Sequence, residues 1–140
     1  MYLLDTNVVP VLRKCGSGKG SLSVSEWAKT VAPNELYLSA ITILEIEMGI
    51  LLKIRKDPEQ GGVLRAWIKQ RLLPAFEGRI LPLDTRIALT CAQLHVPNPK
   101  SERDAMIAAT AIVHQMTVVT RNIQDFEQTG VKLLNPWHHL

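Results

Sequence analysis

Four acids, Asp5, Glu45, Asp104 and Asp125, are the side chains of this 140-residue sequence whose type and placement could do chemistry together. Each alone has a plainer role. Asp5 could cap a helix after the first strand. Thr42 to Glu45 and Ser101 to Asp104 have capping-box spacing, as does, more loosely, Asn122 to Asp125. Taken jointly they read differently, because ligands of an open parallel sheet bind beyond the carboxyl ends of its strands. Asp5 ends one strand candidate, and Asp125 follows another that closes at Thr120. Glu45 lies in the helix after strand two, and Asp104 in the first turn of its own helix, where the partial positive charge favours an anion. Ionised carboxylates gathered in this way either take up protons or bind a cation. An oxygen-only set with no matching Cys or His points to Mg²⁺ or Mn²⁺ rather than Zn²⁺. The chemistry served by such a site is phosphodiester hydrolysis with one ion, or two ~4 Å apart. Asp5 is the first expected ligand and Asp104 the second. Glu45 is expected either to ligate or to orient the attacking water, and Asp125 to act from the periphery.

The elements that must hold these acids follow from apolar patterning. Tyr2–Leu4, Leu36–Leu38, Ile80–Leu83, Thr117–Thr120 and Val131–Leu134 read as short strands, with Pro82 arguing for an edge. Helices are expected over Val8–Leu12, Leu22–Val31, Ala40–Ile54 with Ser39 as cap, from Asp57–Pro58 onward, over Asp84–Leu94, and from a Ser101 cap to about Gln115. Leu64, Trp67, Ile68, Leu72 and Ala75 recur on one helical face and read as core. The Gly- and Ser-rich stretch Cys15–Ser23 reads as a loop. This alternation implies an α/β fold, a parallel sheet with helices on both faces, in a single domain over residues 1–140.

Composition narrows the setting. With 46% hydrophobic and 21% charged residues the chain should bury a core without disulfides. Cys15 and Cys91 fit neither a zinc spacing nor a disulfide framework and read as reduced thiols of a cytoplasmic protein. The longest apolar stretch, Leu36–Leu52, contains Glu45 and Glu47, so no membrane span is expected. The net charge of +3 does not by itself indicate nucleic acid. Seven basic residues between Lys53 and Arg79 face three acids, and a solvated helix face explains them at least as well as phosphate binding.

The acids also sit in recognisable surroundings. Tyr2-Leu3-Leu4-Asp5-Thr6-Asn7, Ser39 to Ile50 around Glu45, Arg103-Asp104-Ala105-Met106-Ile107-Ala108-Ala109-Thr110-Ala111, and Val118 to Phe126 around Asp125 resemble, in order and separation, the four motifs of PIN-domain nucleases. Within that family the pattern resembles the VapC/FitB-type toxins of bacterial toxin–antitoxin pairs. The resemblance implies a three-layer α/β/α sandwich with a parallel sheet of about five strands. It implies Mg²⁺- or Mn²⁺-dependent endoribonuclease activity, a homodimer, and inhibition by a cognate antitoxin, with DNA reached only through that antitoxin. It assigns the acid roles to Asp5, Glu45, Asp104 and Asp125, and makes Thr6, Asn7, Thr120 and Asn122 supporting residues that orient ligands and water. The family often has Gly near Gln115–Met116, which this chain lacks.

Arg86, Arg103 and Arg121 are candidates for RNA phosphates, with surface ion pairs as the alternative. Glu47 points away from Glu45 on the helix and is read as non-catalytic. Gly49 is expected at a close helix contact, and His138–His139 are read as without bearing on catalysis. An aspartyl-phosphate phosphatase would want a second Asp at position 7, where Asn7 stands. A PIN-like module that binds without cutting, or a PIN nuclease of RNA maturation or decay, are the other readings. The four retained acids argue against the first of these, and a neighbouring antitoxin gene separates the second.

Overall fold

In the computed structural model, which describes every residue except Ser17, Lys19 and Leu140, the five expected strands form one parallel sheet. They are β1 (Tyr2–Leu4), β2 (Leu36–Ser39), β3 (Ile80–Leu81), β4 (Thr117–Val119) and β5 (Leu133–Leu134), in the order β3-β2-β1-β4-β5. β1 is central, pairing Tyr2 with both Leu36 and Thr117. The edge strand β3 is two residues long and stops before Pro82, which cannot donate to a ladder.

Helices cover both faces. α1 (Val9–Gly16), α2 (Leu22–Lys29), α3 (Ala40–Lys56), α4 (Pro58–Trp67) and α5 (Leu73–Ala75) precede β3; α6 (Thr85–Leu94) and α7 (Glu102–His114) follow it. Successive strand side chains point to opposite faces, so neighbours divide between two cores. Leu4 and Val119 pack with Val8, Trp27, Ile46 and Ile50, while Leu3 and Val118 pack with Ile107, Ala108, Ala111 and Phe126. Leu3, Leu4, Val118 and Val119 are fully buried, as expected of strands covered on both sides. The three-layer α/β/α expectation is met.

Helix starts follow the sequence signals. Ser39 Oγ accepts from the Ile41 N–H at 3.0 Å, Asp57 Oδ1 from Gln60 at 3.1 Å and Asp84 Oδ1 from Ile87 at 2.9 Å. Ser101 departs from expectation: its side chain makes no cap bond to the backbone of α7. The Cys15–Ser23 loop is also shorter than expected. α1 continues to Gly16, and Ser21 caps α2, its Oγ accepting from Val24; Ser17 and Lys19 of that stretch lie outside the described residues. Between α4 and α5, Ile68–Leu72 forms one turn of wider π-type helix that keeps Ile68 and Leu72 buried. α7 ends without glycine: Gln115 adopts φ 57°, ψ 45°, and the Met116 N–H bonds the Ala111 carbonyl at 2.8 Å.

The close helix contact expected at Gly49 is at Gly61 instead. A Cβ on Gly49 would meet nothing within 4 Å, whereas one on Gly61 would lie 2.7 Å from Ile54 Cα. The sharp α3–α4 turn at Asp57 brings those two backbones together. Gly61→Ala is therefore expected to lower the thermal midpoint, and Gly49→Ala to raise stability by about 0.5–1 kcal/mol; paired thermal melts check both, and a neutral Gly61→Ala would remove the contact argument.

The basic stretch is partly structural. The Arg79 guanidinium donates to the carbonyls of Pro33 (2.6 Å), Leu36 and Ala75 and lies 4.9 Å from the Phe76 ring centroid, clamping the approach to β3. Arg65 pairs with Glu47 at 2.7 Å across α3 and α4, in keeping with a non-catalytic Glu47. No helix among the described residues is long and apolar enough to cross a membrane.

Candidate active site

Asp5 leaves the carboxyl end of the central strand, where its N–H still bonds the Val119 carbonyl at 2.9 Å. The residue is 7% exposed, and its carboxylate is held at both oxygens: Oδ1 accepts from the Thr6 N–H and Oδ2 from the Thr120 hydroxyl, each at 2.8 Å. Thr120 Oγ1 in turn accepts from the Asn122 N–H at 3.0 Å and from Asn7 Nδ2 at 3.5 Å. Asn7 Oδ1 takes the Arg121 N–H at 3.5 Å. A single buried hydroxyl thus joins the loop after β1 to the loop after β4.

Thr6 turns the other way. Its hydroxyl donates to Glu45 Oε1 at 2.8 Å and lies 3.4 Å from the Thr42 hydroxyl. Ser39 is the cap of α3, so Glu45 stands well inside that helix and the capping-box explanation does not apply to it. The helix is open to solvent beside Glu45, where Leu44 is 48% exposed. Glu45 Oε2 lies 3.6 Å from Arg103 Nη1, which connects α3 to α7. Asp104, the next residue, is half-buried, and Asp125 is exposed in the short turn after β4.

Electrostatics gather the four acids. Burial pushes the Asp5 carboxyl above its usual range, the Thr120 hydroxyl and Thr6 N–H pull it down, and Asp104 and Glu45 add repulsion. Asp104 is likewise raised, first by burial and then by Asp125, with a smaller push from Glu45 and relief from the Ser101 hydroxyl. Asp104 is therefore the hub through which Asp125 joins the set. Among the described residues, no group of three or more Asp, Glu, His or Cys side chains forms a ready-made metal cage. The donor set still fits Mg²⁺ or Mn²⁺, because such ions need only one or two carboxylates and keep several waters. Two acids with raised pKa values, crowded by two more, lack the positive charge that a divalent cation carries.

The arginines divide. Arg103 is at the acids. Arg121 joins them through its backbone, while its guanidinium sits 5.2 Å over the Trp137 ring. Arg86 is exposed near the start of α6 and touches none of the acids.

Comparison with known proteins now decides the family: the PIN domain family model matches residues 2–132. This chain belongs to the PIN-domain family. The chain is 36% identical over 144 residues to Toxin FitB of Neisseria gonorrhoeae, covering 99% of each. It is 33% identical over 142 residues to a VapC ribonuclease of Sinorhizobium fredii, covering 98% of each. Among solved structures, the FitAcB crystal structure from Neisseria gonorrhoeae superposes with TM-score 0.88 at 35% identity, over 99% of both chains. A FitAB structure bound to a DNA fragment gives 0.87 at 36% identity, over 99% of this chain and 96% of that one.

Two groups of residues around this PIN-domain site escape sequence reasoning. Thr42 is fully buried beneath Thr6; its capping-box spacing to Glu45 was the visible signal, but it points to a backbone role. Asn135, Trp137 and His138 form the second group. Asn135 Nδ2 donates to the Arg121 carbonyl at 3.4 Å, and His138 lines a cleft with Asn122 and Asp125. The tail read as uninvolved thus stands against the acid-bearing turn.

Proposed function

We propose that the protein is a Mg²⁺- or Mn²⁺-dependent endoribonuclease, the toxin of a toxin–antitoxin pair, built as a single PIN-like domain and acting in the cytoplasm. The observation that carries this reading is the bonded chain that sets buried Asp5, Thr6 and Glu45 side by side at the carboxyl end of the central strand, with Arg103, the neighbour of Asp104, reaching Glu45. End-to-end similarity to a named toxin and to a named ribonuclease supports it.

Asp5 and Asp104 would hold the cation, with Glu45 completing the set or orienting water and Asp125 acting from outside. A bound divalent ion supplies the positive charge that polarises the phosphodiester and eases loss of a proton from the attacking water. Glu45, fixed by Thr6 and Arg103, orients that water toward phosphorus. Arg103 is the cation placed to reach a phosphate oxygen. Thr120 fixes the Asp5 carboxylate and, through Asn122, the turn that carries Asp125. Hydrolysis adds water across the bond from phosphorus to the leaving 3′-oxygen, and no Ser, Cys or His nucleophile takes part.

The FitAB and FitAcB neighbours support a cognate antitoxin as partner, with DNA contacted through it. A homodimer is supported by Leu44, Met48, Leu51 and Leu52, exposed along α3 at spacings of four and three residues and beginning beside Glu45. Purified protein is expected to cut single-stranded RNA with Mg²⁺ or Mn²⁺, to stop in EDTA, and to have the mass of a dimer by light scattering. Undiminished cleavage in EDTA would remove the metal, and a monomeric mass the dimer.

A further inference from the structure

A cleft of about 620 Å³ opens directly beside Asp125, between the turn after β4 and the C-terminal tail. That size falls within the roughly 300–1,000 Å³ typical of small-ligand sites. One wall carries Asn122, Gln124 and Glu127, and the other Asn135 and His138. Its chemistry differs from that of the acid centre: three carboxamides and an imidazole, beside the carboxylates of Asp125 and Glu127 and the Arg121 guanidinium, offer both donors and acceptors.

The cleft is built rather than incidental. Asn135 Oδ1 accepts from the Trp137 N–H at 2.9 Å, while its Nδ2 ties the tail to the Arg121 carbonyl at 3.4 Å. Pro136 is buried, and Trp137 packs on the core under the Arg121 guanidinium. The tail is thereby fixed, and His138 faces the acid-bearing turn. The side chains of Asn122, Gln124, Glu127 and His138, by contrast, have no hydrogen-bond or ion-pair partner among the described residues. Polar heads that serve no part of the fold line a cavity next to the proposed reaction centre. With Asp125 and Glu127 against the single guanidinium of Arg121, the cleft does not favour a second phosphate. An uncharged base edge with hydrogen-bonding groups suits it better, and single-stranded RNA is read in this way, by amide contacts and by stacking on planar side chains.

We propose that this cleft seats the base of a ribonucleotide adjoining the scissile phosphate, and that Gln124 and His138 read that base. The inference rests on the ribonuclease reading and extends it to sequence preference. Asn135 and His138 follow directly on β5, so one wall of the cleft is set by the last strand of the sheet.

The test compares wild-type protein with a Gln124→Ala/His138→Ala variant; both residues are exposed, so the fold should be kept. Binding is measured in EDTA by fluorescence anisotropy, with short oligoribonucleotides of A, C, G or U and with an abasic ribose-phosphate strand of equal length. Wild type is expected to bind at least one base series about tenfold or more tighter than the abasic strand, and the variant to lose that gap. In cleavage mapping with Mn²⁺, the variant should lose base preference next to the cut. A variant that keeps the wild-type gap, or a wild type without one, overturns the proposal. Wild-type protein that cuts no RNA would end the ribonuclease reading alone, since the EDTA binding comparison decides the cleft by itself.

Discussion

Asp5→Asn is expected to abolish RNA cleavage, by at least about 100-fold, while leaving the protein folded and more stable without metal. The asparagine oxygen can keep the Thr6 N–H, and its amide can donate to Thr120 Oγ1 in place of Asn7 Nδ2, whose bond to that oxygen is long at 3.5 Å. What disappears is a negative charge at a site 7% exposed, facing the fields of Asp104 and Glu45. Removing a buried charge that lacks a counter-ion relieves the fold. The same charge is what a cation would bind, so the rise in thermal midpoint produced by Mg²⁺ in wild type should vanish in the variant. Activity and metal-free stability therefore move in opposite directions. Wild-type cleavage rates in Asp5→Asn, or a midpoint below wild type in EDTA, would show that Asp5 is structural.

The second large effect is a pH dependence with an unusual sign. The Asp5 and Asp104 carboxyls are both raised above the ordinary carboxylate value, each first by burial. A carboxyl raised on folding holds its proton more tightly in the native state than in the unfolded chain. The folded protein thus binds more protons, and these two groups make stability fall as pH rises from the unfolded value toward their raised native values. Below that window both states are protonated and nothing is lost; above it the full penalty remains. The stabilisation conferred by Asp5→Asn in EDTA should therefore be small near pH ~4, larger by pH ~7, and reduced by saturating Mg²⁺. Thermal melts of both proteins across that range measure it. An advantage for Asp5→Asn that shrinks with rising pH would contradict the burial account.

The sheet was legible because its strands are short apolar runs, and runs such as Leu3–Leu4 and Val118–Val119 have no polar alternation to misplace them. The acids were legible as a set because Asp5 and Asp125 follow strands, Asp104 opens a helix, and Glu45 lies in the helix that follows β2. What stayed hidden were pairings across the fold. Periodicity separates Gly49 from Gly61 no better than by position, and only the α3–α4 turn decides which glycine meets a backbone. Arg79 reads as one more surface cation until three carbonyls close on it. The Arg121–Trp137 contact brings the tail to the site, although nothing in either local sequence announces the other. A spacing names the face on which a residue lies, and a tertiary contact names what stands opposite.

The Thr120 hydroxyl, where the loops after β1 and β4 meet, divides the site into two regimes of motion. On one side Asp5 continues the ladder of the central strand, with its N–H on Val119 and fully buried Leu3 and Leu4 before it. Its position is therefore tied to the most buried part of the fold. On the other side Asp125 sits on an exposed turn whose backbone bonds are local, pinned at one end by Thr120 and at the other by fully buried Phe126, so local motion is confined to the residues between those pins. The Asp125 carboxylate can thus shift between those two pins while the Asp5 carboxylate stays with the central strand.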